Sequence, residues 1–282
     1  MSNPIADPLV EIPDTSPTSQ LVHIEATHAG AVTVVMNRPA RKNAFNADLI
    51  SAMTEAFETL RGAEGVRVIF LKGAGAAFSA GADLDWMREA VDRSESDNRQ
   101  DAYALAHMLK MLWDLPALTV ALVEGPAFGG GAGVAAACDM AIATQDAKFS
   151  FSEVKLGLIP ATISPYVVAA IGPRTARGLF ATGQMFDADH ALRIGLVSEV
   201  VADHTALAAA ASRIAAEILA CAPGAVADAK QLATDVYAEP IDHGLMEDTA
   251  RRIAAARVSE EGQEGVRAFL ERRKAVWAIP ST

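Results

Sequence analysis

The chain has 282 residues, of which 51% are apolar and 6% aromatic, enough to bury the core of one large domain. Lys and Arg number 24 against 35 Asp and Glu, and the resulting net charge of -11 argues against a basic surface for nucleic acid or anionic lipid. The two cysteines, Cys138 and Cys221, lie in Ala-rich segments, and we interpret them as small apolar fillers of a protein in a reducing cytoplasm.

The N-terminal residues mix Pro, Ser, Thr and Asp with isolated apolar residues. They lack the basic start and apolar run of a signal peptide, so we interpret residues 1–20 as a flexible leader. The longest apolar stretch, residues 117–138, contains Glu124, Pro126 and five glycines, which makes it a poor membrane-spanning helix. We therefore expect no membrane association.

Hydrophobic periodicity in the first part of the chain changes from strand-like to helical and back. Asn46 is a plausible helix cap and Gly62 a plausible stop. The predicted elements are, in chain order, a hairpin of Leu21–Glu25 and Ala31–Met36 around a turn at His28-Ala29-Gly30, a helix from Asn46 to Gly62, a strand over Val66–Leu71, a loop to Gly81 and a helix from about Asp83.

The same alternation continues after a segment rich in charge, Ser and Asn, residues 92–101, which we expect to be an exposed, mobile connection. A helix carrying Tyr103, Leu105, Met108, Leu109 and Leu112 follows it. The further predicted strands are Leu118–Val123, Met140–Ala143, Lys148–Phe151 and Val197–Val201. Strands that alternate with helices indicate an α/β fold built from βα units.

Beyond residue 202 the pattern is wholly helical. The predicted helices are Thr205–Cys221, Ala225–Tyr237, Pro240–Arg257 and Glu260–Val276. We therefore divide the chain into a core of residues 21–201 and a helical C-terminal subdomain of residues 202–282.

Two glycine-rich loops, residues 78–84 and 125–133, each lie where a buried strand ends and a helix begins. Such places gather free backbone N–H groups at the positive end of a helix. If both loops face one cleft, two N–H groups could hold the oxygen of a polarised carbonyl. Taken singly, each loop is better explained by close packing of helix on strand. Neither matches a phosphate-binding motif, and Ser79 does not lie in a G-x-S-x-G elbow.

Several motifs in a fixed order together resemble the crotonase (enoyl-CoA hydratase/isomerase) superfamily over roughly residues 21–276. They are Asn37-Arg38-Pro39 with Asn43-Ala44-Phe45, Phe78-Ser79-Ala80-Gly81-Ala82-Asp83-Leu84, Gly129-Gly130-Gly131 with Cys138-Asp139, Phe151 to Pro160, and Ala188 to Val197. The resemblance implies a crotonase-like spiral of ββα units with a helical C-terminal subdomain that serves oligomerisation and covers the active site. It also implies an acyl-CoA thioester substrate and a homotrimer or a hexamer made of two trimers. No separate cofactor is implied, because coenzyme A is part of the substrate.

The resemblance also assigns roles to single positions. The backbone N–H groups of Ala82 and Gly130 would form an oxyanion hole, and Glu153 would be the catalytic acid/base. The positions implied to bind substrate or CoA are Arg38, Lys42, Ala44, Ala80, Asp83, Leu84, Gly129 and Gly133. Family hydratases carry two glutamates, and here the first of these positions is Gly133. From the residues alone, Glu153 is an acidic residue that complements the start of a helix-like segment, residues 154–158.

Three functions stay open at this point. A hydratase could use Glu153 alone, to activate water and then return the proton to the α-carbon. A Δ3/Δ2-enoyl-CoA isomerase needs only one base, and a non-catalytic acyl-CoA-binding scaffold needs none. Residues 153–168 look like bacterial methylglutaconyl-CoA hydratases, which favours hydration of a branched or carboxylated 2-enoyl-CoA.

Cations are expected to meet the distal carboxylate of such a substrate, and Lys155 and Arg174 are the candidates. Tyr103 and His107, four residues apart on one helix face, either line the acyl pocket or serve ordinary packing. The six histidines show no H-E-x-x-H or comparable spacing, so we expect no catalytic metal.

Overall fold

The computed structural model describes residues 20–26 and 30–278. Almost all of the predicted leader, and His28-Ala29 of the predicted hairpin turn, lie outside these described residues.

In the described ranges nine strands form two sheets. They are β1 Val22–Ala26, β2 Ala31–Met36, β3 Val68–Gly73, β4 Leu118–Val123, β5 Pro126–Phe128, β6 Met140–Thr144, β7 Lys148–Ser150, β8 Met185–Asp187 and β9 Glu199–Val201. The larger sheet has the order β1-β2-β3-β4-β6-β9, and all its neighbours are parallel except the antiparallel pair β1 and β2. The smaller sheet has the order β5-β7-β8, with β8 antiparallel to β7.

Ten helices lie within the described residues. They are α1 Ala47–Gly62, α2 Leu84–Val91, α3 Glu95–Trp113, α4 Gly130–Ala137, α5 Ser164–Thr182, α6 Ala188–Ile194, α7 His204–Leu219, α8 Pro223–Asp235, α9 His243–Val258 and α10 Glu260–Leu270. The predicted α/β fold with a helical C-terminal region is confirmed.

Both faces of the larger sheet are covered, so its central strands read as nearly continuous apolar runs. Successive residues of a strand point to opposite faces. Ile69 and Leu71 of β3 therefore belong to the main core with α1, α3, α4 and α5, whereas Val68 and Phe70 pack in a second core against α7. The sheet thus presents the ends of β3 and β4, and the loops that follow them, on a rigid support.

Two cations, the buried Arg67 and the half-buried Lys230, attach the C-terminal helices to this support. Arg67, before β3, donates to the backbone oxygens of Cys221, Ile218 and Trp277. Lys230 of α8 donates to the oxygens of Leu115 and Ala117 and pairs with Asp139 at 2.7 Å. Arg67 thereby satisfies carbonyls at the C-terminal end of α7 that the helix itself leaves unpaired.

The prediction of a mobile connection over residues 92–101 is wrong from residue 95 onward. The side chain of Ser94 accepts a hydrogen bond from the N–H of Asp97, and Glu95 and Asp97 complement the N-terminus of α3. The charged composition therefore marks a capped helix start. The last predicted helix also ends early, at Leu270, because Arg272 adopts a left-handed conformation.

The two cysteines are free and differ in environment. Cys138 is buried, as expected of an apolar filler, but Cys221 is exposed, so that interpretation is wrong for Cys221. Among the described residues no single helix is long and apolar enough to cross a membrane, although α7 and α8 together, bent by 105°, meet the length and composition test.

Candidate active site

Asn43 holds the loop that follows β2 in place. Its side chain is fully buried, donates to the backbone oxygens of Ala74 and Ala77 at 2.9 and 2.8 Å, and accepts from the N–H of Arg38 at 2.8 Å. Its backbone lies in the left-handed region, with φ 53°. Asparagine adopts this region more readily than most residues. The Asn43 side chain therefore ties the loop after β2 to the loop after β3.

The first glycine-rich loop is pinned on both sides of Ala82. Phe45 donates its N–H to Gly81 O at 2.7 Å and accepts from the N–H of Asp83 at 2.8 Å. This isolated parallel bridge pairs Ala82 with Phe45. No acceptor for the N–H of Ala82 occurs among the described residues, and Ala82 is exposed. The amide is available to a ligand.

The second loop leads directly into α4. Gly129 donates its N–H to Ser150 O at 2.9 Å and accepts from the N–H of Gly133 at 3.0 Å. Gly130 is the first residue of α4, so its N–H has no partner within the helix. Among the described residues nothing accepts from it. The positive end of α4 also favours developing negative charge at this amide.

Glu153 lies where these two loops meet. A Cβ built on Gly129 would lie 3.1 Å from Glu153 Oε1 and 3.9 Å from Gly81 Cα. Because Gly81 precedes Ala82 and Gly129 precedes Gly130, the two amide-bearing loops and the carboxyl meet around one point. Gly129 itself has φ 47°, a left-handed conformation that leaves room for this approach.

The carboxyl of Glu153 is poorly solvated. Its Oε2 is buried and has no hydrogen-bond partner among the described residues. Burial raises the pKa of Glu153 above its ordinary value, and a hydrogen bond with its own backbone offsets only part of that effect. A carboxyl with a raised pKa and an oxygen that has no hydrogen-bond partner among the described residues suits proton transfer at a bound ligand.

The side chains expected to hold CoA lie together beside the first loop. Arg38 pairs with Asp83 at 2.9 Å and donates to the backbone oxygen of Ala44. Ala80 donates its N–H to Lys42 O at 2.9 Å, and the Lys42 side chain is exposed. Leu84, 65% exposed, begins α2 after the Asp83 cap.

Burial alone would raise the pKa of Asp83, but hydrogen bonds from the Asp85 N–H and Arg38 outweigh it and hold that pKa below its ordinary value. The Asp83 carboxyl is therefore a charged anchor that fixes the start of α2.

Ile163 fills the space beside Gly133. This residue was not among the site residues predicted from the sequence. A Cβ built on Gly133 would lie 2.7 Å from Ile163 Cβ and closer still to Ile163 Cγ2, a separation that real Cβ atoms do not show. A side chain at position 133, a second carboxylate included, would therefore force Ile163 or the α4 backbone to move. The glycine at position 133 is visible in the sequence, but the sequence does not show that Ile163, 30 residues later, packs against it.

The other candidate residues form no hydrogen bond or ion pair with Glu153 in the described ranges. The stem of Lys155 runs along Gly183 and its side chain is exposed, as is Arg174. Tyr103 is 70% exposed and stacks on His107, which lines a pocket of about 240 Å³ with Trp86 and other residues. The lining of that pocket does not include Glu153.

A cavity of about 1020 Å³ lies elsewhere, between the core and α8. Its lining includes Asp139 and Lys230 but not Ala82, Gly130 or Glu153. The candidate site is the place where the two amides and the Glu153 carboxyl meet, and this cavity does not contain them. No group of three or more His, Cys, Asp or Glu side chains in the described ranges is placed to hold a metal ion.

The chain is similar to proteins of one known family. The enoyl-CoA hydratase/isomerase family model matches residues 26–279. The chain is 32% identical over 242 residues to the (E)-benzylidenesuccinyl-CoA hydratase of Thauera aromatica, covering 85% of this chain and 92% of that protein.

Solved structures show the same similarity. An enoyl-CoA hydratase from Shewanella pealeana superposes with a TM-score of 0.88 at 39% identity, covering 93% of this chain and 100% of that chain. An enoyl-CoA hydratase from Mycobacterium smegmatis superposes with a TM-score of 0.86 at 32% identity, covering 92% and 99% of the two chains.

Proposed function

This chain belongs to the enoyl-CoA hydratase/isomerase family, and on that premise we propose that it hydrates a branched or carboxylated 2-enoyl-CoA with Glu153 as its single acid/base. Family membership makes it an enzyme, which removes the non-catalytic scaffold from consideration.

One observation carries it: the carboxyl of Glu153 lies against Gly129, which also lies against Gly81, and one buried carboxyl oxygen is unpaired among the described residues. An unpaired buried carboxylate oxygen is destabilising and calls for a functional reason. A substrate whose thioester oxygen binds between the Ala82 and Gly130 amides would bring its α and β carbons to this carboxyl.

The proposed reaction proceeds through an enolate. Glu153 takes a proton from water as the water oxygen bonds to the β-carbon, and the electrons of the double bond move to the thioester oxygen. The two amides stabilise that oxyanion, each contributing on the order of 3 kcal/mol. Protonated Glu153 then gives its proton to the α-carbon and the carbonyl re-forms. One carboxyl thus completes the addition and returns to its starting state.

The absence of a side chain at Gly133 favours a second candidate, double-bond isomerisation. An isomerase moves one proton between the α and γ carbons through the same enolate and needs no bound water. Ile163 makes the flank of Gly133 aliphatic, which removes a second group that could orient water. Incorporation of the water oxygen distinguishes the two reactions.

The Thauera aromatica relative supports a carboxylated substrate, because a benzylidenesuccinyl thioester retains a second carboxylate. Lys155 and Arg174 remain our proposed partners for that distal group. Substrate binding would have to draw Lys155 away from the surface of Gly183.

The proposal includes the assembly, location and domain roles that the resemblance implies: a cytoplasmic homotrimer or hexamer whose C-terminal subdomain forms contacts between subunits. Large exposed apolar side chains on the last helices, including Met246, Ile253 and Phe269, support such contacts. Analytical ultracentrifugation of the full chain tests this part.

The central test uses methylglutaconyl-CoA in ¹⁸O-labelled water. We expect loss of the enoyl-thioester absorbance and one labelled oxygen in the product. Label-free product with a shifted double bond would establish the isomerase instead. No turnover of methylglutaconyl-CoA, together with turnover of crotonyl-CoA, would overturn the proposed substrate class but not the reaction.

A further inference from the structure

Ile163 is almost completely buried, at 2% exposure, and immediately precedes α5. Its Cβ and Cγ2 occupy the space directly over Gly133, in the middle of α4. The contact joins α4 to the start of α5. It is also close to the site, because Gly133 donates its N–H to Gly129, the residue against which Glu153 lies.

The first turn of α4 is enclosed from other directions as well. A Cβ on Gly130 would lie 3.2 Å from the Phe45 ring, and one on Gly131 would lie 2.7 Å from Ser79 Cβ. Phe45 and Ser79 belong to the loops that hold Ala82. Ile163 packs against the turn from a third side, so Gly130, Gly131 and Gly133 each face a different residue.

The direction of the Gly130 N–H bond depends on this packing. The Gly130 amide is fixed only by the position of the turn that carries it, since it has no hydrogen-bond partner among the described residues. A small displacement of that turn would move the amide relative to Glu153. Catalysis by preorganised donors is sensitive to such displacements.

We propose that Ile163 is a positioning residue: it closes the first turn of α4 against the start of α5 and thereby aims the Gly130 amide at the thioester oxygen. Positions 133 and 163 are then coupled, and a side chain at 133 is tolerated only where Ile163 is removed. The inference rests on the oxyanion role proposed above for Gly130.

The test is a double-mutant cycle of Gly133→Ala and Ile163→Gly. Glycine at 163 is needed because the Ile163 Cβ is itself too close to a Cβ at 133. Gly178→Ala on α5 is the matched control, because a Cβ there meets nothing within 4 Å. Alanine is the better helix former, so a loss in Gly133→Ala reports the contact and not helix propensity.

We expect Gly133→Ala to lower kcat by about 10-fold to 100-fold with a much smaller change in KM. In the Ile163→Gly background the same substitution should change kcat by no more than about twofold. Gly178→Ala should match the wild type. Ile163→Val, which keeps the Cβ and both γ-carbons, should also retain activity. An equal loss from Gly133→Ala in both backgrounds would overturn the proposal.

A second measurement separates this inference from the choice of reaction. Bound acetoacetyl-CoA forms an enolate with its own absorbance, and that signal reports the oxyanion hole without turnover. We expect Gly133→Ala to diminish the enolate signal and the double variant to regain the Ile163→Gly level. An unchanged signal in folded Gly133→Ala protein would refute the positioning role, whereas failure of hydration by the wild type would leave this result standing.

Discussion

Replacing Glu153 by Gln should abolish proton transfer while making the fold more stable. The substitution keeps the shape of the side chain but removes its basicity, so kcat should fall by about 10²-fold to 10⁴-fold. Binding of the thioester should change little, because the amides of Ala82 and Gly130 are untouched. Steady-state kinetics on methylglutaconyl-CoA measures the loss. Glu124→Gln, which exchanges a carboxyl paired with His204 at 3.0 Å, is the matched control and should keep its activity.

The stability half of the prediction follows from the sign of the pKa shift. Because burial raises the folded pKa of Glu153 above its ordinary 4.5, the folded state is favoured most where the carboxyl is protonated, below pH 4.5. This contribution is lost as pH rises through the folded pKa. Gln lacks the titration, so the variant should be more stable than wild type at pH 8 and equal to it near pH 4.

The magnitude at pH 8 is on the order of 1 kcal/mol, at the low end of the cost of an unsatisfied buried polar group, because the Gln amide remains partly unsatisfied. For a chain of this size that corresponds to a rise in Tm of about 2–4 °C. Thermal unfolding at both pH values measures it. Turnover by Glu153→Gln within tenfold of wild type, or a lower Tm at pH 8, would refute this account of the site.

The other substitutions probe the support of the site. Arg38→Ala leaves the buried Asp83 carboxylate without its cation, so urea unfolding at pH 7 should show a loss of about 2 kcal/mol. Because the folded pKa of Asp83 is lowered from 3.8, the contribution of the pair is present above pH 3.8 and is lost as pH falls through the folded pKa. Asn43→Ala removes three hydrogen bonds of a fully buried side chain and should destabilise by about 3 kcal/mol, with kcat reduced because Ala82 loses its support. Arg67→Met should lower the free energy of unfolding by about 2 kcal/mol while leaving kcat unchanged, since Arg67 holds the C-terminal helices and not the loops. An unchanged urea midpoint in any of the three would contradict the contact assigned to it.

Elements with strong local signals were predictable. The runs of β1 and β2 and the Asn46 cap of α1, whose side chain accepts from the N–H of Leu49 at 3.0 Å, follow from their own residues. Pairing across the short β1–β2 hairpin and helix capping depend on neighbours within a few positions, so the sequence carries that information directly.

Elements with conflicting or short signals were missed. The helix α5 contains Gly172-Pro173, and Gly172 has non-helical backbone angles, so two helical segments meet at a kink and no continuous period is visible. The strands β5 and β8 have three residues each, too few to show alternation. Their pairing with β7 is decided by the sheet and not by their own propensity.

The family resemblance follows from the order of the motifs. The two glycine-rich loops, the acid at 153 and the missing acid at 133 can be identified from the residues alone. The three-dimensional arrangement was needed to see that one buried oxygen of Glu153 has no partner among the described residues and that Ile163 occupies the space over Gly133. The physical reason is that solvation and excluded volume are set by surfaces from segments far apart in the chain. No local pattern records which side chain will fill a given space.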